Sequence, residues 1–337
     1  MFGAAMTPPP PSPPPSRSNL AAVDGITVGH YTDAEAGTGC TVVLAPPGGM
    51  RAASAVRGRA TGTRELDATN PRHLVGHIDA ILLTGGSAYG LGAADGVMRW
   101  LRERGRGLPV HPVGVVPIVP TAVVFDLGNT GSGGPRWPGP EEAVRACDAA
   151  ATEIPEGSVG AGTGATVGKA AGFGSAMKGG LGTWAVRAGD VVVAALVVVN
   201  AVGDVRNARG EILAGARGSD GKPLDSLRYL AEGGPVFGRL AGGAVTNTTL
   251  AVVATNARLD RLQLEALAHA AHDALARRLT PYGTLFDGDV AFAASTAAVD
   301  PATPLQVEAL AAQAVGEALE RAVRLARGTP QVPGLAD

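Results

Sequence analysis

The stretch Gly243-Ala244-Val245-Thr246-Asn247-Thr248-Thr249-Leu250-Ala251-Val252-Val253-Ala254-Thr255-Asn256 runs from small residues into an apolar, β-rich segment. From Leu250 to Val253 both faces are apolar, the pattern of a strand buried between layers. Upstream, Thr183–Arg187 and Val191–Val199 flank Ala188-Gly189-Asp190 and read as a hairpin. Ile26–His30, Cys40–Leu44 and Ile78–Leu83 read as further strands. Helical spacing marks Ser87–Arg104, Glu141–Thr152, Asp260–Leu279 and Pro304–Arg327. Around the third of these, Leu259, Leu262, Ala266, Ala270 and Leu275 fall near one face. Asn207–Thr246 is richer in glycine and charge and reads as a long excursion before the apolar strand. The pattern predicts an α/β (α+β) chain, with sheets sandwiched by helices in one domain.

Composition removes several classes of function. The 28 basic and 30 acidic residues are well mixed, without the basic surplus that binding many phosphates requires. No nucleic-acid partner is therefore expected. Cys40 and Cys147 stand far apart with no CxxC, which argues against a disulfide scaffold or a cysteine-built zinc site. The longest apolar run, Val191–Val199, is far short of the ~20 residues that span a membrane. Met1–Met6 carries no positive charge and does not resemble a secretory signal. Pro8–Pro15 reads as part of an extended or disordered tail over residues 1–20, since proline fixes φ and removes donors. A cytoplasmic location without membrane contact is the expectation.

Three motifs fail on close reading. Gly160–Ala165 matches G-x-G-x-x-G/A in letters, but Pro155-Glu156-Gly157 precedes it and further glycines follow, so the strand-then-helix context is missing. Close approach of backbone to backbone, or to a small ligand, explains such a glycine density better. Thr84-Gly85-Gly86-Ser87-Ala88-Tyr89 lies where a hydrolase nucleophile elbow would, but Tyr89 occupies the position of the closing glycine. The plainer reading makes Ser87 a helix cap. His73 and His77 lack the metalloprotease pattern, and His269 and His272 lie on an alanine-rich helix that suits packing.

Without a placed histidine, a Ser-His-Asp triad is hard to assemble. A Thr or Ser that becomes a chain N-terminus carries its own base, because its α-amino group can accept the hydroxyl proton near neutral pH. It must be released by a cut at the start of a buried strand, and Asn247-Thr248 offers such a point. A threonine opening a strand is also ordinary, so this pattern alone leaves both readings open.

Asn247–Asn256 resembles the cleavage-site strand of the P1 peptidases, self-processing N-terminal-nucleophile hydrolases. They include L-aminopeptidase/D-esterases, β-peptidyl aminopeptidases, pantetheine-type amide hydrolases and 6-aminohexanoate (nylon) oligomer hydrolases. The resemblance spans about Gly25 to Thr296 and includes Gly160–Ala165, Lys178–Thr183, Val197–Asn200 and Phe286–Phe292. It implies a four-layer αββα sandwich with mixed sheets, and cleavage between Asn247 and Thr248. The products would be a large chain, 21–247 after the tail, and a small chain, 248–337, within one catalytic domain. It also implies homo-oligomers, commonly tetramers, and chemistry without a cofactor on a small peptide or linear amide.

The resemblance assigns roles to particular positions. Thr248 is the nucleophile and Asn200 the amide donor to the oxyanion. Lys169 lies near the nucleophile, and Asp287 with Asp289 orients its hydroxyl and ammonium. Phe125 stands before Asp126 where several relatives have a tyrosine, so their substrate range does not transfer. Tyr89, Phe125, Trp137 and Trp184 are the expected pocket walls. Two rivals remain: an α/β hydrolase centred on Ser87, and a non-catalytic binding protein on this scaffold.

Overall fold

The computed structural model describes residues 17–128, 135–235, 247–301 and 303–337. The Pro8–Pro15 tract and residues 243–246 of the quoted stretch lie outside them. Ten strands form the two large sheets: β1 (Thr27–Asp33), β2 (Thr38–Leu44), β3 (Arg51–Gly58), β4 (Thr63–Arg64), β5 (Ala80–Thr84), β6 (Thr121–Val123), β7 (Gly180–Ala188), β8 (Val191–Asn200), β9 (Thr248–Ala257) and β10 (Gly288–Val299). The helices are α1 (Ala94–Glu103), α2 (Pro140–Asp148), α3 (Ser226–Ala231), α4 (Arg261–Ala276) and α5 (Pro304–Arg324).

One sheet has the order β1-β2-β5-β6-β4 and the other β7-β8-β9-β10-β3. Both are mixed: β5 with β6 and β9 with β10 run parallel, and the remaining neighbours are antiparallel. The residues of β8 alternate between two cores, as period-two geometry requires. Val192, Ala194, Leu196 and Val198 face the other sheet, meeting Val43, Ile81 and Leu83. Val193, Ala195, Val197 and Val199 face α4 and α5. In β9, Leu250, Val252 and Ala254 turn inward between the sheets, whereas Ala251 and Val253 face the helices. A third cluster packs α1 and α2 on the outside of the first sheet through Val97, Leu101 and Cys147. The architecture is a four-layer αββα sandwich, and its continuous apolar runs are apolar because both faces are covered.

The glycine-rich segments do pack backbone on backbone. A side chain at Gly182 of β7 would strike the carbonyl of Ala318, so its absence lets α5 lie against the sheet. Gly160–Gly162 is a single 3-10 turn running toward the short strand Thr166–Val167, not the opening of a nucleotide-binding helix.

Several boundaries differ from the sequence reading. Ser87–Ala93 is a 3-10 helix, and the α-helix begins only at Ala94, because Gly86, Gly90 and Gly92 interrupt the first turns. Ser87 is not the cap. Gly86 holds that position, no side chain caps the turn, and Ser87 sits at φ 52°. Helices α2, α4 and α5 stop three or four residues short of the predicted ends, and α3 is a short helix within the stretch read as an excursion. The excursion after Asn207 is ordered as far as it is described. Buried Asp204 accepts hydrogen bonds from the Ala216 and Ser226 amides and the Ser226 hydroxyl, at 2.8, 2.6 and 2.6 Å.

Candidate active site

Strand β9 opens at Thr248 in the middle of the second sheet, with β8 on one edge and β10 on the other. Thr248 is opposite Asn200, the last residue of β8. Continuing the alternation of β8 and β9, both side chains project into the space between the sheets. Thr248 is 4% exposed and Asn200 is fully buried.

The Asn200 amide is held from three directions. Its Oδ1 accepts from Lys169 Nζ at 2.8 Å and from the Thr166 amide at 3.1 Å. Its Nδ2 donates to the Phe125 carbonyl at 3.0 Å. An amide nitrogen has two protons, so one remains for a ligand. Lys169 also reaches the Asn200 carbonyl, at 3.4 Å. Burial pushes the Lys169 ammonium down to about 7, opposed by the charge of Asp287 and assisted by that of Lys178. A lysine poised near neutrality is unusual and suits a catalytic centre.

Asp287 and Asp289 approach from the β10 side. Asp287 Oδ2 accepts the Thr284 amide at 2.7 Å, and Asp289 Oδ1 accepts the Thr249 amide at 2.6 Å. Burial raises both carboxyls above the ordinary range, Asp289 well above, and the charge of Asp287 adds to the effect there. Ala291 and Ala293 of β10 face the helices, so by alternation Asp289 does too. Its contact with β9 is therefore through the main chain beside Thr248, and the Thr248 side chain lies on the opposite face. Among the described residues, Asp289 Oδ2, the Thr249 hydroxyl and the Asn247 side-chain amide are buried without hydrogen-bond partners. Such a concentration of unsatisfied groups is costly and marks this strand end as a place kept for something other than stability.

The structure brings Thr248, Asn200, Lys169, Asp287 and Asp289 together, but separates the four expected pocket residues. Phe125 borders the site through its carbonyl. Tyr89 and Trp137 stack on each other with ring centroids 4.4 Å apart. Trp137 lines a cavity of about 450 Å³ with Tyr31, Asp33, Thr38 and Glu142. Trp184 lies elsewhere: it packs into the helix-side core, with the Arg321 guanidinium 5.3 Å from its ring centre. His272 is structural as well. Its nitrogens meet the Tyr282 hydroxyl at 2.6 Å and the Ala55 carbonyl at 3.0 Å, and burial lowers it to about 4.

Two buried ionisable groups escaped the sequence reading as participants. Asp126 accepts the Gly86 amide at 2.7 Å and the Thr38 hydroxyl at 2.8 Å, and burial pushes it up to about 6. Lys178 donates to the Thr163 carbonyl at 2.6 Å and is pushed down by burial to about 8. Asp126 follows an apolar strand and Lys178 sits in a glycine-rich run, and neither position carries a local signal of burial, since charged residues are mostly exposed. Asp126 joins the Gly86 turn under Trp137 to the Phe125 peptide, which in turn holds Asn200.

Thr248 thus stands as a nucleophile candidate at the head of a buried strand within a four-layer αββα sandwich. The chain belongs to peptidase family S58, whose model matches residues 18–329. It is 42% identical over 299 residues to an uncharacterized aminopeptidase of Mycobacterium tuberculosis, covering 84% of this chain and 82% of that one. It is 32% identical over 299 residues to a 6-aminohexanoate-oligomer endohydrolase of Paenarthrobacter ureafaciens, covering 83% and 76%. Among solved structures it is similar to a Burkholderia sp. beta-aminopeptidase, with a TM-score of 0.69, 22% identity and coverage of 96% and 92%. The L-aminopeptidase D-Ala-esterase/amidase of Ochrobactrum anthropi, described as a variant of the Ntn hydrolase fold, gives 0.66, 20%, and 95% and 91%. The protein is a hydrolase of amide or peptide bonds.

Proposed function

We propose that the chain is a precursor that cuts itself between Asn247 and Thr248, and that Thr248 then serves as N-terminal nucleophile. On this reading 21–247 and 248–337 are the large and small chains of one catalytic domain. The observation that carries it is the place of Thr248: the first residue of the central strand β9, paired with Asn200 and flanked by Asp287 and Asp289.

In the mature site the free amine of Thr248 takes the hydroxyl proton as the oxygen attacks a substrate amide carbonyl. The unspent proton of Asn200 Nδ2 meets the developing oxyanion, a contribution worth about 3 kcal/mol where such donors have been removed. Lys169 fixes the orientation of that amide, and its charge lowers the pKa of the adjacent amine. The Asp289 carboxyl holds the main chain beside the amine through Thr249. The protonated amine returns its proton to the leaving nitrogen, the acyl group remains on Thr248, and water releases it.

Small peptides and linear amides are the substrate class. The names of the relatives support both aminopeptidase and 6-aminohexanoate-oligomer substrates. Thr248→Ala tests the assignment: it should remain a single chain and hydrolyse neither aminoacyl anilides nor 6-aminohexanoate oligomers. Turnover retained by this variant would mean that the nucleophile lies elsewhere, and Ser87→Ala would then test the elbow.

A further inference from the structure

We propose that the oxyanion of self-cleavage is stabilised by the main-chain N–H of Gly288, and that Asn200 serves only the later reaction with substrate. This rests on the self-cleavage reading above and assigns it a separate donor.

The direction of the scissile carbonyl carries the argument. The Asn247 oxygen accepts the Gly288 N–H at 2.8 Å, and the Asn247 N–H donates to the Phe286 carbonyl at 3.2 Å. Both main-chain groups of Asn247 therefore point to the β10 edge, whereas Asn200 lies across the β8 edge. In a strand the carbonyl lies near the plane of the sheet and the side chains stand roughly perpendicular to it. The Thr248 hydroxyl, on the face between the sheets, is thus placed to approach the Asn247 carbon from above its carbonyl plane. The oxygen meanwhile stays on the β10 side.

The donor is prepared for this charge. The carbonyl of the same peptide unit, that of Asp287, accepts two hydrogen bonds, from the Arg59 and Ala60 amides at 2.8 and 3.0 Å. They hold the Asp287–Gly288 peptide plane in place and polarise it so that its positive end faces the Asn247 oxygen. The approach depends on Gly58 at φ +87°, where a side chain would strike the Asp287 carbonyl.

The reaction then runs as an N-to-O acyl shift. Thr248 Oγ bonds to the Asn247 carbon, the C–N bond breaks, and the hydroxyl proton ends on the departing nitrogen, which becomes the free amine. The product is an ester between Asn247 and the Thr248 oxygen. Water opens it to the Asn247 carboxylic acid and the Thr248 hydroxyl. In the tetrahedral stage the negative oxygen remains on the Gly288 N–H.

The test compares Gly288→Ala with Gly288→Pro in the full chain, following the appearance of two fragments by denaturing electrophoresis after in vitro translation. Both add a Cβ that meets the Ala60 carbonyl, but only proline removes the N–H. Gly288→Pro should cleave about a hundredfold more slowly than Gly288→Ala, the usual cost of losing one oxyanion donor. If either variant fails to fold, as read by protease resistance, glycolic acid incorporated in place of Gly288 removes the N–H without adding a side chain, and the same slowing is expected. Equal rates for chains with and without the N–H would overturn the inference, as would Asn200→Ala stopping cleavage while loss of the Gly288 N–H does not. A wild-type chain that never cleaves would instead overturn the self-cleavage reading on which the inference stands.

Discussion

Replacing Asn200 by alanine and by aspartate separates its two duties. Asn200→Ala removes the acceptor of the Lys169 ammonium and the Thr166 amide, the donor to the Phe125 carbonyl, and the donor proposed to meet the oxyanion. Each buried group left without a partner costs about 1–3 kcal/mol, so a stability loss of about 2–6 kcal/mol is expected. Asn200→Asp keeps the shape and the Oδ1 acceptor and places a charge beside Lys169, but loses both protons of Nδ2, including the one given to the Phe125 carbonyl. It should be destabilised less than the alanine variant, yet both should lose about 10²–10³ in kcat, or about 3 kcal/mol of transition-state stabilisation. The assay is hydrolysis of an aminoacyl anilide or 6-aminohexanoate oligomer by two-chain protein, with thermal unfolding in parallel. Wild-type kcat in Asn200→Asp would refute the donor role. Equal unfolding temperatures for the two variants would refute the claim that Oδ1 is the structurally important half of the amide.

Two further outcomes follow from the same geometry. Lys169 is depressed to about 7 in the folded chain against an unfolded value of 10.5. Below about pH 7 both states hold its proton; between there and 10.5 the unfolded state holds more, so stability rises with pH. Lys169→Met should remove its share of that rise in denaturant titrations at pH 7 to 10, leaving the part that Lys178, depressed to about 8, contributes at higher pH, and a slope identical to wild type would contradict the buried, depressed lysine. Because Trp184 faces α5 and Arg321, Trp184→Ala should cost about 1–3 kcal/mol of stability and leave KM unchanged; a raised KM at full stability would place it at the substrate after all.

Much of the second sheet was legible because its strands are buried on both faces. Val191–Val199 and Leu250–Val253 could hardly be anything else, and the turn at Gly189 fixed the pairing of the first with β7. The identities of Thr248, Asn200, Lys169, Asp287 and Asp289 came through resemblance, and the fold explains why they belong together: they gather at one end of three adjacent strands. The faces were harder to read. Trp184 points to the helices because its strand alternates in register with β8, and register depends on pairing partners that the local pattern does not contain. Asp126 and Lys178 became buried neighbours of the site through folding of distant segments, with nothing at either position to announce it. The carbonyl direction at Asn247, on which the proposed donor for self-cleavage rests, is a main-chain property without a side-chain signature.

The most direct test of the account is the intact mass of each chain in purified wild-type protein, measured under denaturing conditions. The account predicts two species, the smaller matching 248–337 and beginning with Thr248. A single species of the full-length mass, or a small chain with any other first residue, would contradict it.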